Sequence, residues 1–206
     1  MAKINRFEKG ELNILLIDED AERAASISSA LDKSRYKILH LASPGASLLK
    51  DVDKFKPDII VIDVESPNRD ILESLHTISS HNPKPIVMFS SQEDTEMINL
   101  SVESGVSAYV VGDTEPERVK PILDAAVARF KQYQQLKTEL DSTKSQLASR
   151  EVVDKAKRLL IKNKSMSEQD AFHSMRKVAM DNGQRIEDVA RTIISLFDNT
   201  NTKSFL

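Results

Sequence analysis

The sequence predicts an α/β domain with a five-stranded parallel sheet, followed by a long helix and an all-α three-helix bundle. Two observations carry this prediction: short apolar runs alternate with segments of helical length, and the last part of the chain has no strand-like run. The apolar runs span residues 13–18, 37–42, 58–63, 85–90 and 108–111. Such near-continuous apolar runs are typical of parallel strands that helices cover on both faces. Five of them fit a doubly wound, flavodoxin-like domain with strand order 2-1-3-4-5.

A long helix is expected after the fifth strand. Pro116 and Pro121 suit its start, because proline is tolerated in the first turn of a helix. Apolar residues then recur at steps of three and four, the spacing of a coiled coil, with a threonine at one position of the seam. We expect a homodimer through this seam, and the alternative is a single solvated helix. The apolar seam positions are Tyr133, Leu136, Leu140 and Leu147.

Three short amphipathic helices are predicted to form the C-terminal bundle. The first spans about 149–162, Ser167 and Asp170 resemble a capping box at the start of the second, and Gly183 ends the second. The expected core positions are Val152, Val153, Ala156, Leu159, Leu160, Ala171, Phe172, Met175, Val178, Ala179, Ile186, Val189, Ala190, Ile193, Ile194 and Leu196.

The composition excludes several kinds of protein. The chain of 206 residues has no cysteine, so it forms neither disulfides nor thiolate metal sites. The start MAKINRFEKGELN lacks the apolar core of a signal peptide, and no stretch approaches the roughly 18 apolar residues of a membrane span. The four histidines lack the spacing of metal ligands, and neither a glycine-rich phosphate loop nor a Ser-His-Asp arrangement stands out. We therefore expect a cytoplasmic protein without membrane contact, with no catalytic residues and no enzymatic activity.

Charge is unevenly distributed along the chain. Residues 150–206 hold 11 Lys and Arg against 8 Asp and Glu, which gives a net charge of +3. Because the whole chain carries −3, residues 1–149 carry −6. An acidic front and a mildly basic tail suggest two modules with different partners.

Acidic residues end two of the predicted strands. Asp18 and Glu19 follow the first apolar run and Asp63 ends the third, and the predicted strand order places these two strands side by side. Such a cluster repels itself unless it is protonated or neutralised by a cation. Carboxylate oxygens suit Mg²⁺, and an aspartate held there can attack a phosphoryl group. We call Asp18, Glu19 and Asp63 the acidic pocket and predict that it can hold Mg²⁺, although no cofactor is required.

These residues resemble the receiver domain of two-component response regulators over residues 12–128. The resemblance implies that Asp18 and Glu19 are the acidic pair, that Asp63 is the phosphoacceptor, and that Ser90 and Tyr109 are the switch residues. The sequence departs from the family at AYVVGD, where Gly112 stands in place of a lysine and Asp113 follows it. Without that ammonium, a phosphoaspartate and its coupling to the switch should both be weakened. We therefore expect a pseudo-receiver that is not switched by ordinary phosphorylation.

The run AKRLLIKNKSMSEQDAFHSMRKVAMDNGQRIEDVARTII, residues 156–194, resembles an ANTAR domain. The ANTAR domain is the RNA-binding module of transcription antitermination regulators. The order of receiver, coiled coil and ANTAR domain resembles the NasT and AmiR type, and LASPGASLL, IDVESPNRD and GVSAYVV look more like NasT, of nitrate and nitrite assimilation. The resemblance implies a leader mRNA with paired stem-loops, a nitrate-sensing regulatory protein, and an indirect effect on the RNA polymerase elongation complex. Read from the residues alone, the matched apolar positions pack the helices, and the charged positions can hold phosphate or stack on bases. The RNA-binding candidates are Lys157, Arg176, Arg158, Lys164, Lys177, Arg185 and Arg191. Phe172 is expected in the core, and the alternative is a stacking platform for a base.

The predicted organisation is a receiver-like domain at 1–128, a coiled-coil linker at 129–149, an ANTAR domain at 150–198 and a flexible tail at 199–206. The preferred hypothesis is an RNA-binding transcription antitermination regulator controlled by a partner sensor. The alternatives are a phosphorylation-dependent response regulator that uses Asp63, and a protein-interaction adaptor with a vestigial helical tail.

Overall fold

The structure is a computed structural model that describes residues 11–43, 48–112 and 115–202. The chain separates into two compact units, residues 1–135 and residues 136–206. Within the described parts of the chain, every helix is too short or too polar to traverse a bilayer.

A five-stranded parallel sheet forms the centre of the first unit. Its strand order is β2-β1-β3-β4-β5, which confirms the predicted order, and the bounds differ from the predicted runs by no more than one residue. Strands β1 and β3, which end at the acidic pocket, are therefore neighbours. The strands are β1 (Leu12–Asp18), β2 (Tyr36–Leu41), β3 (Ile59–Asp63), β4 (Ile86–Ser90) and β5 (Ala108–Val111).

Helices cover both faces of this sheet, as near-continuous apolar strands require. Successive residues of a strand point to opposite faces, so Leu16 joins one core cluster and Leu15 joins the other. Carboxylate and amide side chains cap three of the helices: Asp20, Asn68 and Asp94 each accept hydrogen bonds from backbone N–H groups of the first turn. The helices are α1 (Ala21–Ala30), α2 (Leu48–Phe55), α3 (Arg69–His81) and α4 (Thr95–Glu103).

One helix, α5 (Pro116–Lys164), runs for 49 residues. The predicted linker at 129–149 and the predicted first helix of the bundle are parts of this one element. Pro116 is its first residue, as expected. Pro121 lies inside the helix rather than in its first turn, so the helix tolerates one missing N–H donor there.

The second unit holds the remainder of α5 together with α6 (Glu168–Asp181) and α7 (Ile186–Thr202). Ser167 caps α6, and its side chain accepts a hydrogen bond from the N–H of Asp170. Gly183 follows α6 with a φ of +61°, a conformation that favours glycine. The backbone of α7 continues to Thr202, four residues into the predicted tail, and residues 203–206 lie outside the described residues.

The core of the second unit is smaller than predicted. Its buried apolar residues are Ala156, Ala171, Met175, Ala179, Val189 and Ala190. The prediction was wrong for three expected core positions, because Phe172, Val178 and Leu196 are 39%, 42% and 61% exposed. In α6 the buried side chains recur every four residues, and Phe172 and Val178 lie on the two flanks of that narrow stripe.

Candidate functional site

The predicted meeting of carboxylates at the strand ends is confirmed for Asp18 and Asp63. The two residues are register partners at the carboxyl ends of β1 and β3. Asp18 is completely buried, and the Asp63 side chain is 12% exposed. Glu19 is exposed, and it lines the same cleft of about 960 Å³ together with Asp63. Two carboxylates so close together repel each other unless one is protonated or a positive charge neutralises them.

Arg23, which the sequence reasoning did not single out, supplies that charge. Its Nε donates to Asp18 Oδ2 at 2.9 Å, and its Nη2 donates to Asp18 Oδ1 at 2.6 Å. The same Nη2 lies 3.2 Å from Asp63 Oδ1, so one guanidinium joins both strand ends. The hydrogen bonds to Asp18 raise the pKa of Arg23 above its usual value, and the nearby charge of Asp63 acts in the same direction.

The start of α1 explains how Arg23 reaches the acidic pocket. Asp20 ends the loop after β1 and caps the helix, accepting from the N–H groups of Glu22 and Arg23. Both backbone hydrogen bonds lower the pKa of Asp20, and the one from Arg23 has the larger effect. Arg23 therefore lies in the first turn of a helix that begins directly beside the carboxylates. The signal in the sequence is an arginine five residues after the acidic end of a strand.

The predicted magnesium site coincides with carboxylates that Arg23 already contacts. Within the described residues, no three Asp, Glu or His side chains converge closely enough to hold a metal ion. Asp18 Oδ1 already accepts from the N–H of Asp20 at 2.8 Å as well as from Arg23. Mg²⁺ binding stays a prediction that the structure does not test.

Both predicted switch residues make hydrogen bonds to neighbouring loops. Ser90 is buried at the end of β4, and its hydroxyl donates to the Glu65 carbonyl oxygen at 2.8 Å. The hydroxyl of Tyr109, a half-buried residue of β5, donates to the Gln92 carbonyl oxygen at 3.0 Å. These bonds hold the loops after β3 and β4 in one arrangement. The role of the two residues as a switch stays a prediction.

Gly112 occupies the position where the receiver resemblance leads one to expect a lysine. Its φ is +99°, in the left-handed region that residues other than glycine rarely adopt. Its N–H donates to the Ser90 carbonyl oxygen at 3.0 Å, which extends the β4–β5 pairing by one residue. The conformation of this turn, and not only the side chain, therefore differs from one that a lysine would favour. Asp113, the predicted extra negative charge, lies outside the described residues.

In the second unit, Lys157 does not extend into solvent as an RNA-contacting cation would. Its Nζ lies 2.7 Å from Asp154 Oδ1 and 2.9 Å from Glu168 Oε1, and its side chain is 17% exposed. These contacts raise the pKa of Lys157, and the hydrogen bond to Asp154 is the larger cause. Lys157 therefore connects α5 to the start of α6, and an RNA phosphate would compete with two carboxylates for it.

The other RNA-binding candidates lie on the surface. Arg158, Lys164, Arg176, Lys177, Arg185 and Arg191 are all exposed. Arg185 also lines a groove of about 450 Å³ between α5 and the start of α7, together with Arg150, which the sequence reasoning did not include. On α6, Phe172 and Met180 are 39% and 72% exposed, and the spacing of four residues places Arg176 between them on one stripe.

The predicted dimerisation seam on α5 is exposed along its length. Tyr133, Leu136, Leu140 and Leu147 are 62%, 59%, 52% and 55% exposed. Apolar side chains of this size, aligned on one helical face, are typical of a surface that packs against another helix. The dimer itself stays a prediction.

Comparison with known protein families identifies both parts of the chain. The model of the response regulator receiver domain matches residues 14–124, which is more than half of the chain. The chain belongs to the response regulator receiver family. The model of the ANTAR domain matches residues 141–194. The protein is therefore an ANTAR-type response regulator, and both matched domains are regulatory.

Individual relatives agree with this architecture. The chain is 26% identical over 181 residues to the transcriptional regulatory protein PdtaR of Mycobacterium tuberculosis H37Rv, and the match covers 88% of each chain. It is also 26% identical to the chemotaxis protein CheY of Listeria monocytogenes, over 56% of this chain and 98% of that protein. Among solved structures, a CheY-like receiver domain from Methanospirillum hungatei has a TM-score of 0.52 at 18% identity and covers 60% of this chain and 99% of that chain. The last similarity concerns the fold alone.

Proposed function

We propose that the protein is an RNA-binding transcription antitermination regulator whose C-terminal unit stabilises hairpins of a leader mRNA. The single observation that carries the proposal is the ANTAR match at residues 141–194, on a unit whose basic side chains are mostly exposed. Binding then stabilises an antiterminator and lets RNA polymerase read through. The protein acts by binding and not by catalysis.

The exposed stripe on α6 supports this proposal. Arg176 lies one turn from Phe172, whose ring is 39% exposed although the helix has a buried face available. Aromatic rings and guanidinium planes are the groups on which unpaired RNA bases stack. We propose Phe172 and Arg176 as a stacking surface, with Arg150 and Arg185 in the groove as phosphate contacts. Lys157 then positions α6 relative to α5 rather than binding RNA directly.

The expected RNA element is a hairpin loop. The deep groove of A-form RNA is closed to side chains, so a small helical bundle reads unstacked loop bases instead. A dimer through the α5 seam presents two bundles, and two linked sites gain affinity through effective concentration. This geometry fits a leader RNA with two stem-loops. In its finer form, the proposal is that the leader RNA belongs to nitrate and nitrite assimilation genes. A nitrate-sensing protein then controls the access of the regulator to that RNA.

The test is a gel-shift titration of the full chain with a two-hairpin leader RNA at several salt concentrations. Arg176→Ala should weaken binding by about tenfold, as expected for loss of one base-stacking or phosphate contact, and the affinity should fall steeply with salt. Asp181→Ala, a change at an exposed acidic residue of the same helix, serves as the matched control. Binding that is equal for the wild type and Arg176→Ala would remove Arg176 from the site, and no binding by the wild type would reject the proposal.

A second candidate function is phosphorylation-dependent switching through Asp63. It is favoured by the position of Asp63 at the end of β3, where its side chain lines the cleft. Incubation with a small phosphodonor, followed by intact-mass measurement, tests it against an Asp63→Asn control. A stable mass increase that depends on Asp63 would support switching, and an unchanged mass would favour control by a partner protein.

A further inference from the structure

We propose that the guanidinium of Arg23 takes the place of a divalent cation in the acidic pocket, so that the chain neutralises its own strand-end carboxylates and does not bind Mg²⁺ there. The proposal concerns the receiver unit and is independent of RNA binding. Its basis is the set of contacts that one side chain makes with Asp18 and Asp63.

The first argument is geometric. Asp18 Oδ1 accepts two N–H donors, from Arg23 at 2.6 Å and from Asp20 at 2.8 Å. Asp18 Oδ2 accepts the Nε of Arg23 at 2.9 Å. A Mg²⁺ ion requires a carboxylate oxygen at about 2.1 Å in near-ideal octahedral geometry. The directions from which it would approach Asp18 are therefore largely occupied by nitrogen donors.

The second argument concerns charge. Arg23 contacts both Asp18 and Asp63, so the guanidinium lies between the two carboxylates as a bridging cation would. A Mg²⁺ ion added to this arrangement would meet a like charge only a few ångströms away, in a site where Asp18 is completely buried. Like charges at that distance repel each other, and a partly buried site screens the repulsion less than bulk water does. Arg23 would therefore have to leave before Mg²⁺ could bind.

The third argument is that arginine is a permanent cation. A guanidinium keeps its charge throughout the range in which proteins fold, and here Asp18 raises the pKa of Arg23 further. A tethered cation is also present at every concentration of free magnesium. The proposal therefore implies that the arrangement of β1, β3 and α1 is independent of magnesium.

The experiment compares metal binding by the full chain and its variants. Mn²⁺, a paramagnetic substitute for Mg²⁺, is titrated while water-proton relaxation is recorded, and Mg²⁺ is then added in competition. We expect no saturable binding by the wild type in the low-millimolar range, and binding stronger by about tenfold or more in Arg23→Ala, because the competing cation is absent. Arg69→Ala removes an arginine from an exposed helical position and should behave like the wild type. The double variant Arg23→Ala/Asp63→Asn should lose the binding that Arg23→Ala gains.

Thermal melting gives a second readout. Mg²⁺ should leave the midpoint of the wild type unchanged and raise that of Arg23→Ala. If Arg23→Ala does not fold without metal, Arg23→Gln keeps an N–H donor without the charge and replaces it in both measurements. Saturable, competable binding by the wild type would overturn the proposal, and so would a variant without Arg23 that folds but binds no more metal than the wild type.

Discussion

The two units of the chain use their cations differently. In the receiver unit, the cation at the candidate site is held by its own chain: Arg23 makes a bidentate contact with a completely buried aspartate. In the C-terminal unit, Lys157 is the candidate held by carboxylates, while Arg176 and Arg185 extend from the surface. Arg23 and Lys157 therefore favour a fixed structure, whereas the exposed Arg176 and Arg185 leave charge available for a ligand.

The two ion-pair systems also differ in what they contribute to stability. Their N–O distances are similar, 2.6–2.9 Å for Arg23 with Asp18 and 2.7–2.9 Å for Lys157 with its partners. The exposure of the carboxylates differs, since Asp18 is buried whereas Asp154 and Glu168 are 56% and 73% exposed. Solvent screens an exposed pair, whereas the loss of one partner of a buried pair leaves an uncompensated charge. The two ion-pair systems therefore contribute differently to the free energy of unfolding, although their N–O distances are similar.

The largest effect is expected for Arg23→Ala. Removal of the guanidinium leaves Asp18 buried with the N–H of Asp20 as a remaining donor. We expect a loss of about 2 kcal/mol of unfolding free energy, below the usual range for a buried pair because the Arg23 side chain is 36% exposed. Hydrogen exchange of the amides of β1 and β3 measures the loss in the full chain without requiring both units to unfold together.

Two variants control this measurement. Arg69→Ala, at an 88% exposed side chain, should leave those amides unchanged. Asp18→Asn/Arg23→Ala removes both charges and should recover part of the lost protection, since no buried charge then stands alone. Equal protection in the wild type and Arg23→Ala would contradict the distinction between the two units.

The sequence predicts the meeting of Asp18 and Asp63 but not the contact with Arg23, and the reason is physical. Apolar runs determine which strands are buried, strand order follows from the doubly wound topology, and the ends of neighbouring parallel strands must then meet. The contact with Arg23 depends instead on where α1 begins and on the reach of a long side chain. Neither the start of a helix nor the reach of a side chain leaves a periodic pattern in the sequence.

Phe172 shows a different limit of sequence reasoning. An apolar residue next to buried Ala171 satisfies the pattern of an amphipathic helix, which predicts burial. The buried residues of α6 are Ala171, Met175 and Ala179, a stripe one residue wide. A bundle of this size has too little interior to cover the flanks, so the pattern overestimates the width of the buried face.

The second prediction concerns the exposed seam of α5 and rests on the proposed dimer. Leu140→Lys should shift the full chain toward monomer, because a leucine that is 52% exposed in one chain is replaced by a charge in both. We expect the two substitutions in a dimer to lower the free energy of dimerisation by about 2 kcal/mol together. Sedimentation at several protein concentrations measures this loss. Gln135→Lys adds the same charge at an exposed residue off the seam and should leave the dimer intact. A wild-type chain that stays monomeric at all concentrations would rule out the seam as a dimer interface.

The third prediction separates binding from stability at Phe172. Phe172→Ala should weaken RNA binding by about 1–2 kcal/mol, the contribution of one stacked base, with a smaller effect on unfolding because the ring is already 39% exposed. Binding is measured by filter retention of a hairpin RNA, and stability by urea denaturation. Val178→Ala truncates a similarly exposed side chain on the opposite flank of α6 and should retain binding. If the two variants lose binding equally, the stacking surface does not lie on the Phe172 flank.

The smallest effect is expected for the contact between α5 and α6, which pH can dissect. The hydrogen bond from Lys157 lowers the pKa of Asp154 below 3.8, and the contacts with Asp154 and Glu168 raise the pKa of Lys157 above 10.5. A lowered carboxylate pKa gives stability that is present above pH 3.8 and is lost as the pH falls through the pKa of the folded state. A raised lysine pKa gives stability that is present below pH 10.5 and is lost as the pH rises through the pKa of the folded state. Lys157→Met keeps the aliphatic stem and should lower the hydrogen-exchange protection of α6 slightly and uniformly between these limits. A difference between wild type and variant that instead changes near neutral pH would show that another titrating group controls the contact.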